Sequence, residues 1–393
     1  MLYVLFLRYK DVTTFKSKAM ELSLVHHTRN AMKLKLLESF RLGKFELKNR
    51  MVLAPMTRSR AHDEGVVGKS TATYYAQRAS AGLLISEAIN ISPQALGMPS
   101  TPGIFTDAQV HGWKEVTDAV HAEGSVMFAQ LWHTGRVGHS RVKGGALPVA
   151  PSAISIAGQE HFTPSGAMPY ETPKELSVEE IDQIILDYRQ AARHALTAGF
   201  AGVELHAAFG YLPNQFLADS SNQRTDGYGG STERRNRFVL EVMSALVEEV
   251  GSGAVGIRLS PTSTYNGMAH SAVHEQFSQL LQELDALDLA YVHLMNSPFN
   301  PADFPDYPAN AVQAFSPLTR HPVIANGGFT RETAEAELEQ NGVDLISFGR
   351  LFLANPDLPR RFEVDAPLNT ADPTTFYGGH EKGYTDYPFY KKQ

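Results

Sequence analysis

Short apolar runs recur along the chain, each closing on polar or small residues. They are 50–56 (RMVLAPM), 82–88 (GLLISEA), 126–132 (VMFAQLW), 202–208 (GVELHAA), 255–260 (VGIRLS), 291–297 (YVHLMNS), 322–328 (PVIANGG) and 345–350 (LISFGR). Runs this rich in Val, Ile and Leu suit parallel strands buried on both faces. Between them lie segments with helical periodicity, at 107–123, 177–198, 231–250, 274–287 and 330–341. Ser177 and Glu180 have the spacing of a capping box, and Thr330 has the place of an N-cap with Thr333 in the first turn. Eight strands alternating with helices predict an α/β fold, a (β/α)8 TIM barrel in a single domain over residues 33–393. A doubly wound sheet is the alternative, weakened because no G-x-G-x-x-G follows any of the runs.

Two connections, 133–173 and 210–230, are too long for simple turns. Both follow the C-terminal end of a strand, where barrel active sites sit, and long connections inside a domain are usually functional. The tail, 373–393, carries Phe376, Tyr377, Tyr384, Tyr387, Phe389 and Tyr390, and is expected to dock on the barrel. Residues 1–32 break the pattern. Their single apolar run, 2–7, is shorter than a signal-peptide core of about 7–15 residues. Arg8, Lys10, Lys16, Lys18 and Arg29 against Asp11 and Glu21 make a basic start compatible with a weak organelle presequence. The simpler reading is an extension outside the core, with Met32 as a natural start and a cytoplasmic location.

Composition narrows the function. The 393 residues are 43% hydrophobic and 20% charged, enough for a large core. No cysteine is present, which removes disulfides, thiolate metal sites, iron–sulfur clusters and a Cys nucleophile. The net charge of −7 disfavours a polyanionic partner such as nucleic acid. No apolar run approaches the roughly 20 residues of a membrane span. The segment GVVGKST at 65–71 resembles a phosphate-binding loop, but its first glycine would fall on Asp63 and no strand precedes it. No H-E-x-x-H or G-x-S-x-G occurs, so neither a zinc site nor a hydrolase nucleophile is expected.

Polar residues instead collect at strand ends. Pro55, Met56 and Thr57 close the first run, and Gln130 and Trp132 share one face of the third. The fourth ends in His206, the fifth contains Arg258, the seventh ends in Asn326, Gly327 and Gly328, and the eighth in Gly349 and Arg350. Glycines and a cation on the last two strands match the place where barrels bind phosphate. Gln, Arg and Thr suit the edge of a planar heterocycle.

These segments resemble the Old Yellow Enzyme family of FMN-dependent ene-reductases, most nearly the alkene and N-ethylmaleimide reductases. The resemblance runs over about residues 33–393 and rests on LAPMTRSR (53–60), SPQALGMPSTPGIF (92–105), QLWHTGR (130–136), GVELHAAFGYLPNQFL (202–217) and SSNQRTDGYGGSTERRNRF (220–238), with GIRLSP (256–261), ANGG (325–328), FGRLFLANPDL (348–358) and FYGG…GYTDYP (376–388). It implies non-covalent FMN, reduced by NAD(P)H, and a small-molecule substrate. Pro55, Met56, Thr57 and Ala88 should line the isoalloxazine ring, and Gln130 and Arg258 should meet its pyrimidine edge. Gly327, Gly328, Gly349 and Arg350 should hold the phosphate. Tyr211 aligns with the proton donor, and its ordinary pKa of about 10 keeps it protonated at neutral pH. His206 aligns with the donor to a substrate carbonyl or nitro oxygen, and Trp132, Met98, Tyr265 and Tyr377 should shape the pocket.

One position departs from the family. Asn or His is expected three residues after His206 as a second donor to the substrate oxygen, and Phe209 stands there. Losing a comparable oxyanion donor costs about 2.7–4 kcal/mol of transition-state stabilisation. Either another group supplies that bond or reduction of simple enones is slowed; the rival function is a flavin-binding barrel with little ene-reductase turnover. The oligomeric state is not legible. Because 1–31 carry no patterning continuous with the barrel, a chain starting at Met32 is expected to keep its melting temperature and flavin content, which thermal unfolding and absorbance spectra would check.

Overall fold

Alternation within each strand decides which side chains face the barrel centre and which face the helices. The computed structural model describes residues 34–340 and 342–392, so the expected extension at 1–32 lies outside them. Eight parallel strands close on themselves: β1 (Met51–Leu53), β2 (Leu83–Asn90), β3 (Val126–Trp132), β4 (Gly202–Ala207), β5 (Val255–Leu259), β6 (Tyr291–Met295), β7 (Val323–Asn326) and β8 (Leu345–Phe348). Each pairs with the next, and β8 pairs with β1 through Ile346↔Met51 and Phe348↔Leu53. All eight expected strands and the barrel are therefore present, although the first is shorter than the run 50–56. Pro55 and Met56 lie beyond it on the loop above the barrel mouth.

One set of alternate residues, including Met51, Leu84, Ala129, Val203, Leu205, Ile257, Val292 and Ile346, packs with the helices in the main core. The other set faces inward. Its lower layer is apolar: Val52, Leu83, Ile85, Phe128, Tyr291, Ile324 and Leu345 form a separate cluster with Leu42 and Leu47. Those last two belong to a hairpin, Phe40–Leu42 paired with Phe45–Leu47, that plugs the barrel's N-terminal end. Phe45 meets Phe128 edge to face at 5.5 Å. At the inward position of β5 stands Gly256, where a Cβ would come 2.3 Å from the Tyr291 ring. The hairpin was not anticipated, because two three-residue strands fall below the length at which alternation can be read.

The outer layer comprises α1 (Lys69–Gln77), α2 (Asp107–Ala122), α3 (Val178–Thr197), α5 (Thr232–Val250), α6 (Val273–Leu284) and α8 (Arg331–Leu338), with the short α4 (Leu212–Leu217), α7 (Ala311–Phe315), α9 (Arg350–Ala354) and α10 (Leu358–Glu363). The capping box of Ser177 with Glu180 forms, and Thr330 caps α8 reciprocally with Thr333. GVVGKST leads into α1 but follows a 3-10 turn rather than a strand. The connection 133–173 carries structure of its own, a hairpin of Glu160–Thr163 with Gly166–Pro169. The connection 210–230 contains α4. Among the described residues no helix is long and apolar enough to cross a membrane.

The tail docks as expected, against the loop after β1. Arg58 Nε donates to the Phe376 carbonyl at 3.0 Å and Nη2 to that of Gly383 at 2.9 Å. Tyr384 is fully buried, stacked on Tyr74 at 4.3 Å, with the guanidinium of Arg58 5.0 Å from its ring. The Gly378 N–H donates to the Arg58 carbonyl at 2.9 Å, which fixes the neighbouring Tyr377 beside the barrel mouth. Replacing Tyr384 with Ala is expected to cost about 3–5 kcal/mol, as for other buried aromatics. The expected outcome is a lowered melting temperature together with faster proteolysis of the tail.

Candidate active site

The upper half of the barrel interior is polar. Inward positions near the C-terminal strand ends carry Gln130 and Trp132 on β3, Glu204 and His206 on β4, Arg258 on β5, His293 on β6, Asn326 on β7 and Ser347 on β8. All are nearly or wholly buried. Strand register sets the neighbours: Gln130 lies opposite Glu204, and Arg258 lies between His206 and His293. A register shift in the β2–β3 pairing, between Ile85 and Ala88, brings Ala88 opposite Gln130.

Arg258 anchors one side. Its Nη2 donates to Asn326 Oδ1 at 3.1 Å and its Nη1 to the Pro55 carbonyl at 3.4 Å, which ties the β1 loop to the interior. On that loop Met56 and Thr57 are partly buried. Met56 also approaches Gly349, where a Cβ would come 3.4 Å from the sulfur. Across the top of β7 and β8, Gly327 and Gly328 are exposed, Gly349 precedes α9, and Arg350 opens that helix with its side chain toward solvent. A Cβ on Gly327 would come 2.8 Å from that of Asn296, so the bare backbone is needed there. The Pro55 carbonyl thus meets Arg258, Ala88 stands opposite Gln130, and Met56 adjoins Gly349.

The second side is aromatic. His206 and Tyr211 have ring centroids 4.8 Å apart, Trp132 meets Tyr211 edge-on at 4.9 Å, and Trp132 lies nearly parallel to His206 at 6.4 Å. Burial first, then the positive charge of Arg258, holds His206 well below its ordinary pKa, so the imidazole is neutral and carries one donor and one acceptor nitrogen. Burial also raises the Tyr211 phenol, and the phenols of Tyr265, Tyr170 and Tyr377 add to the rise, so Tyr211 keeps its proton. Tyr211 is the N-cap residue of α4, placed there by the turn through Phe209 and Gly210. Tyr265 and Tyr377 are exposed at the mouth. Met98 sits on the β2–α2 connection, partly buried, its carbonyl accepting from the Thr101 hydroxyl at 2.8 Å.

Phe209 is in the same cluster. It lies edge-on to His206 at 6.1 Å, and the Arg258 guanidinium stands 5.2 Å from its ring. Its φ of +56° is left-handed, a region that costs an L-residue about 1–2 kcal/mol and that Asn tolerates better. Two hydrogen bonds hold it there: its N–H donates to Ser260 Oγ at 2.9 Å, and its carbonyl accepts from Asn266 Nδ2 at 2.8 Å.

Three buried polar atoms of the cluster, Arg258 Nε, His206 Nδ1 and Trp132 Nε1, have no protein partner among the described residues. Leaving such a group unsatisfied costs about 1–3 kcal/mol, so their grouping at one mouth is the mark of a site built to hydrogen-bond a ligand. Together they offer hydrogen-bonding atoms to a ligand at the mouth, and the glycines that follow β7 and β8 leave bare backbone beside them. Among the described residues no group of three His, Asp or Glu is arranged for a metal. Four contributors were missed in the sequence: Glu204, His293 and Ser347, whose signal was a polar residue at an alternate position of an apolar strand, and Tyr170, whose loop carries no pattern.

A family profile for NADH:flavin oxidoreductases / NADH oxidases matches residues 35–369. The chain is 44% identical over 357 residues to 12-oxophytodienoate reductase 1 of Oryza sativa subsp. japonica, covering 90% of this chain and 93% of that one. The structure of morphinone reductase superposes with a TM-score of 0.86 at 47% identity, covering 91% of this chain and 97% of that one. That of the Old Yellow Enzyme homologue from Zymomonas mobilis also gives 0.86, at 44% identity, covering 90% and 99%. With this barrel and this cluster of residues at its mouth, the chain belongs to the NADH:flavin oxidoreductase / NADH oxidase family, as an FMN-dependent, NAD(P)H-oxidising enzyme of the Old Yellow Enzyme type.

Proposed function

We propose that the enzyme reduces electron-poor carbon–carbon double bonds conjugated to a carbonyl, imide or nitro group, quinones included. The observation that carries this reading is the triad of neutral His206, protonated Tyr211 and Trp132 packed at the barrel mouth within 6.4 Å of one another. The names of two relatives, reductases of 12-oxophytodienoate and of morphinone, both denote oxo compounds. Bound FMN would supply the hydride-transfer chemistry between NAD(P)H and the alkene. Pro55, Met56, Thr57 and Ala88 form the wall for its ring, Gln130 and Arg258 meet its pyrimidine edge, and Gly327, Gly328, Gly349 and Arg350 receive its phosphate. Arg258, buried beside that edge, favours the negative charge of the reduced state.

His206 donates a hydrogen bond to the substrate oxygen, on which negative charge grows. Tyr211 gives its proton to the carbon next to the carbonyl. Trp132, Met98, Tyr265 and Tyr377 shape the pocket. Phe209 contributes shape and low polarity but no donor, so the substrate oxygen has one side-chain donor where the family resemblance implies two. Low polarity strengthens the His206 bond without replacing the missing one.

Tyr211→Phe is expected to leave flavin content and its reduction by NAD(P)H intact while slowing cyclohexenone reduction by about 10²–10⁴-fold, the usual range for general acid help. Stopped-flow measurement of the two half-reactions separately checks this, and an unchanged oxidative half-reaction would remove Tyr211 from the chemistry. Because His206 is held low and Tyr211 high, neither changes charge near neutrality, so the oxidative half-reaction should be flat between about pH 6 and 9. Phe209→Asn is expected to speed cyclohexenone by roughly one to two orders of magnitude, and a maleimide by less, since an activated substrate needs less enolate stabilisation. Equal rates on both substrates before and after would mean that another group already supplies the second bond, and absence of turnover on any of these acceptors would favour a flavin-binding role alone.

A further inference from the structure

Gln130 on β3 and Arg258 on β5, flanking β4 in the upper barrel interior, stand at the two ends of one buried hydrogen-bond path. Gln130 Nε2 donates to Glu204 Oε1 at 2.7 Å. The other carboxylate oxygen, Oε2, lies 2.9 Å from His293 Nδ1, and His293 Nε2 lies 2.8 Å from Ser347 Oγ. The Ser347 carbonyl accepts from Asn326 Nδ2 at 2.9 Å, and Asn326 Oδ1 accepts from Arg258 Nη2 at 3.1 Å. Glu204 and His293 are wholly buried, and Ser347 nearly so. The path crosses β3, β4, β6, β8, β7 and β5, and none of its four inner members, Glu204, His293, Ser347 and Asn326, is among the residues that meet the flavin under the reading above.

Glu204 accepts at both oxygens. A carboxylate in that position can meet only donors, so it fixes the Gln130 amide with its nitrogen inward and its oxygen free for a ligand donor. It also fixes the His293 tautomer, with Nδ1–H toward the acid and Nε2 accepting from Ser347, consistent with burial holding His293 below its ordinary pKa. The Glu204 charge acts on Arg258 from the neighbouring strand: it is the largest influence opposing the desolvation of that guanidinium. A buried charge needs a counter-charge, and in this low-dielectric interior an anion placed there is felt by any ligand on the other side of Arg258.

We propose that Glu204 is a positioning and charge-balancing residue for the flavin: through Gln130 it orients the amide that recognises the pyrimidine edge, and as counter-charge to Arg258 it keeps the flavin's reduction potential below the value Arg258 alone would impose. This rests on the reading that Gln130 and Arg258 face FMN. Glu204→Gln separates charge from shape. The new amide accepts from Gln130 and donates to His293 Nδ1, His293 takes its other tautomer and donates to Ser347, and Ser347 donates to the Ala325 carbonyl, 3.3 Å from its Oγ. Every member stays satisfied while one negative charge is gone.

The test uses the full-length holoenzyme of E204Q, E204L, Q130L, E204L/Q130L and R258M. For E204Q the expected result is full FMN occupancy, a nearly unchanged melting temperature and a higher midpoint potential, read by dye equilibration; a purely structural role would leave the potential in place. For E204L, FMN is expected to dissociate at least about tenfold more readily, as for loss of a hydrogen bond to a charged group, and the double variant should be no weaker than Q130L alone. An unshifted or lowered potential in E204Q overturns the charge-balancing role, and unchanged FMN affinity in a folded E204L overturns the positioning role. Q130L and R258M report on the underlying reading: if neither changes affinity or potential, the assignment of the pyrimidine edge fails, and if they do while E204Q does not, the failure is confined to Glu204.

Discussion

A barrel interior admits polar side chains only where each finds a partner, and this constraint organises the molecule. The lower interior meets it by being apolar, filled by Phe128, Tyr291, Ile324 and Leu345 and sealed by the hairpin carrying Phe45. The upper interior meets it with a chain of hydrogen bonds from Gln130 through Glu204, His293, Ser347 and Asn326 to Arg258. Losing one partner of such a buried network is costlier than never having built it. Polarity is therefore confined to the end of the barrel where a ligand can complete what the protein leaves open, at Arg258 Nε, His206 Nδ1 and Trp132 Nε1.

The loops inherit their positions from that interior. The β1 loop is held by Arg258 at the Pro55 carbonyl on one side and, on the other, by the Arg58 contacts with the tail. The tail in turn brings Tyr377 to the mouth, though it is more than 300 residues from the strand it serves, with |i−j| of 318 for the Arg58–Phe376 bond. Wall and rim of the site are thus tied to each other through two arginines, Arg58 bonded to backbone carbonyls and Arg258 to one carbonyl and the Asn326 amide oxygen.

Phe209 shows the opposite tension. The turn that delivers Tyr211 requires a left-handed residue, a conformation suited to Asn, and here Phe is held in it by Ser260 and Asn266. The ring is not idle, because it covers the guanidinium of Arg258, an attraction worth about 0.5–2 kcal/mol depending on desolvation. The position therefore offers an apolar contact to Arg258 and no hydrogen-bond donor of its own side chain.

Much was determined by sequence alone. The eight strands and the capped helices at Ser177 and Thr330 follow from local periodicity and end signals, which depend on neighbours a few residues away. The candidate residues at strand ends were legible for the same reason: a polar residue closing an apolar run in a barrel has only the mouth to face. What the chain could not declare locally is pairing across the barrel. Nothing in YVHLM or GVELH says that His293 and Glu204, 89 positions apart, lie within 2.9 Å of each other, or that Gln130 completes them. The short hairpin under the barrel and the electrostatic influence of Tyr170 on Tyr211 were equally hidden. Those contacts exist only once closure of the sheet brings inward positions of distant strands to one level, and strand register, which is a property of the closed barrel, decides which of them meet.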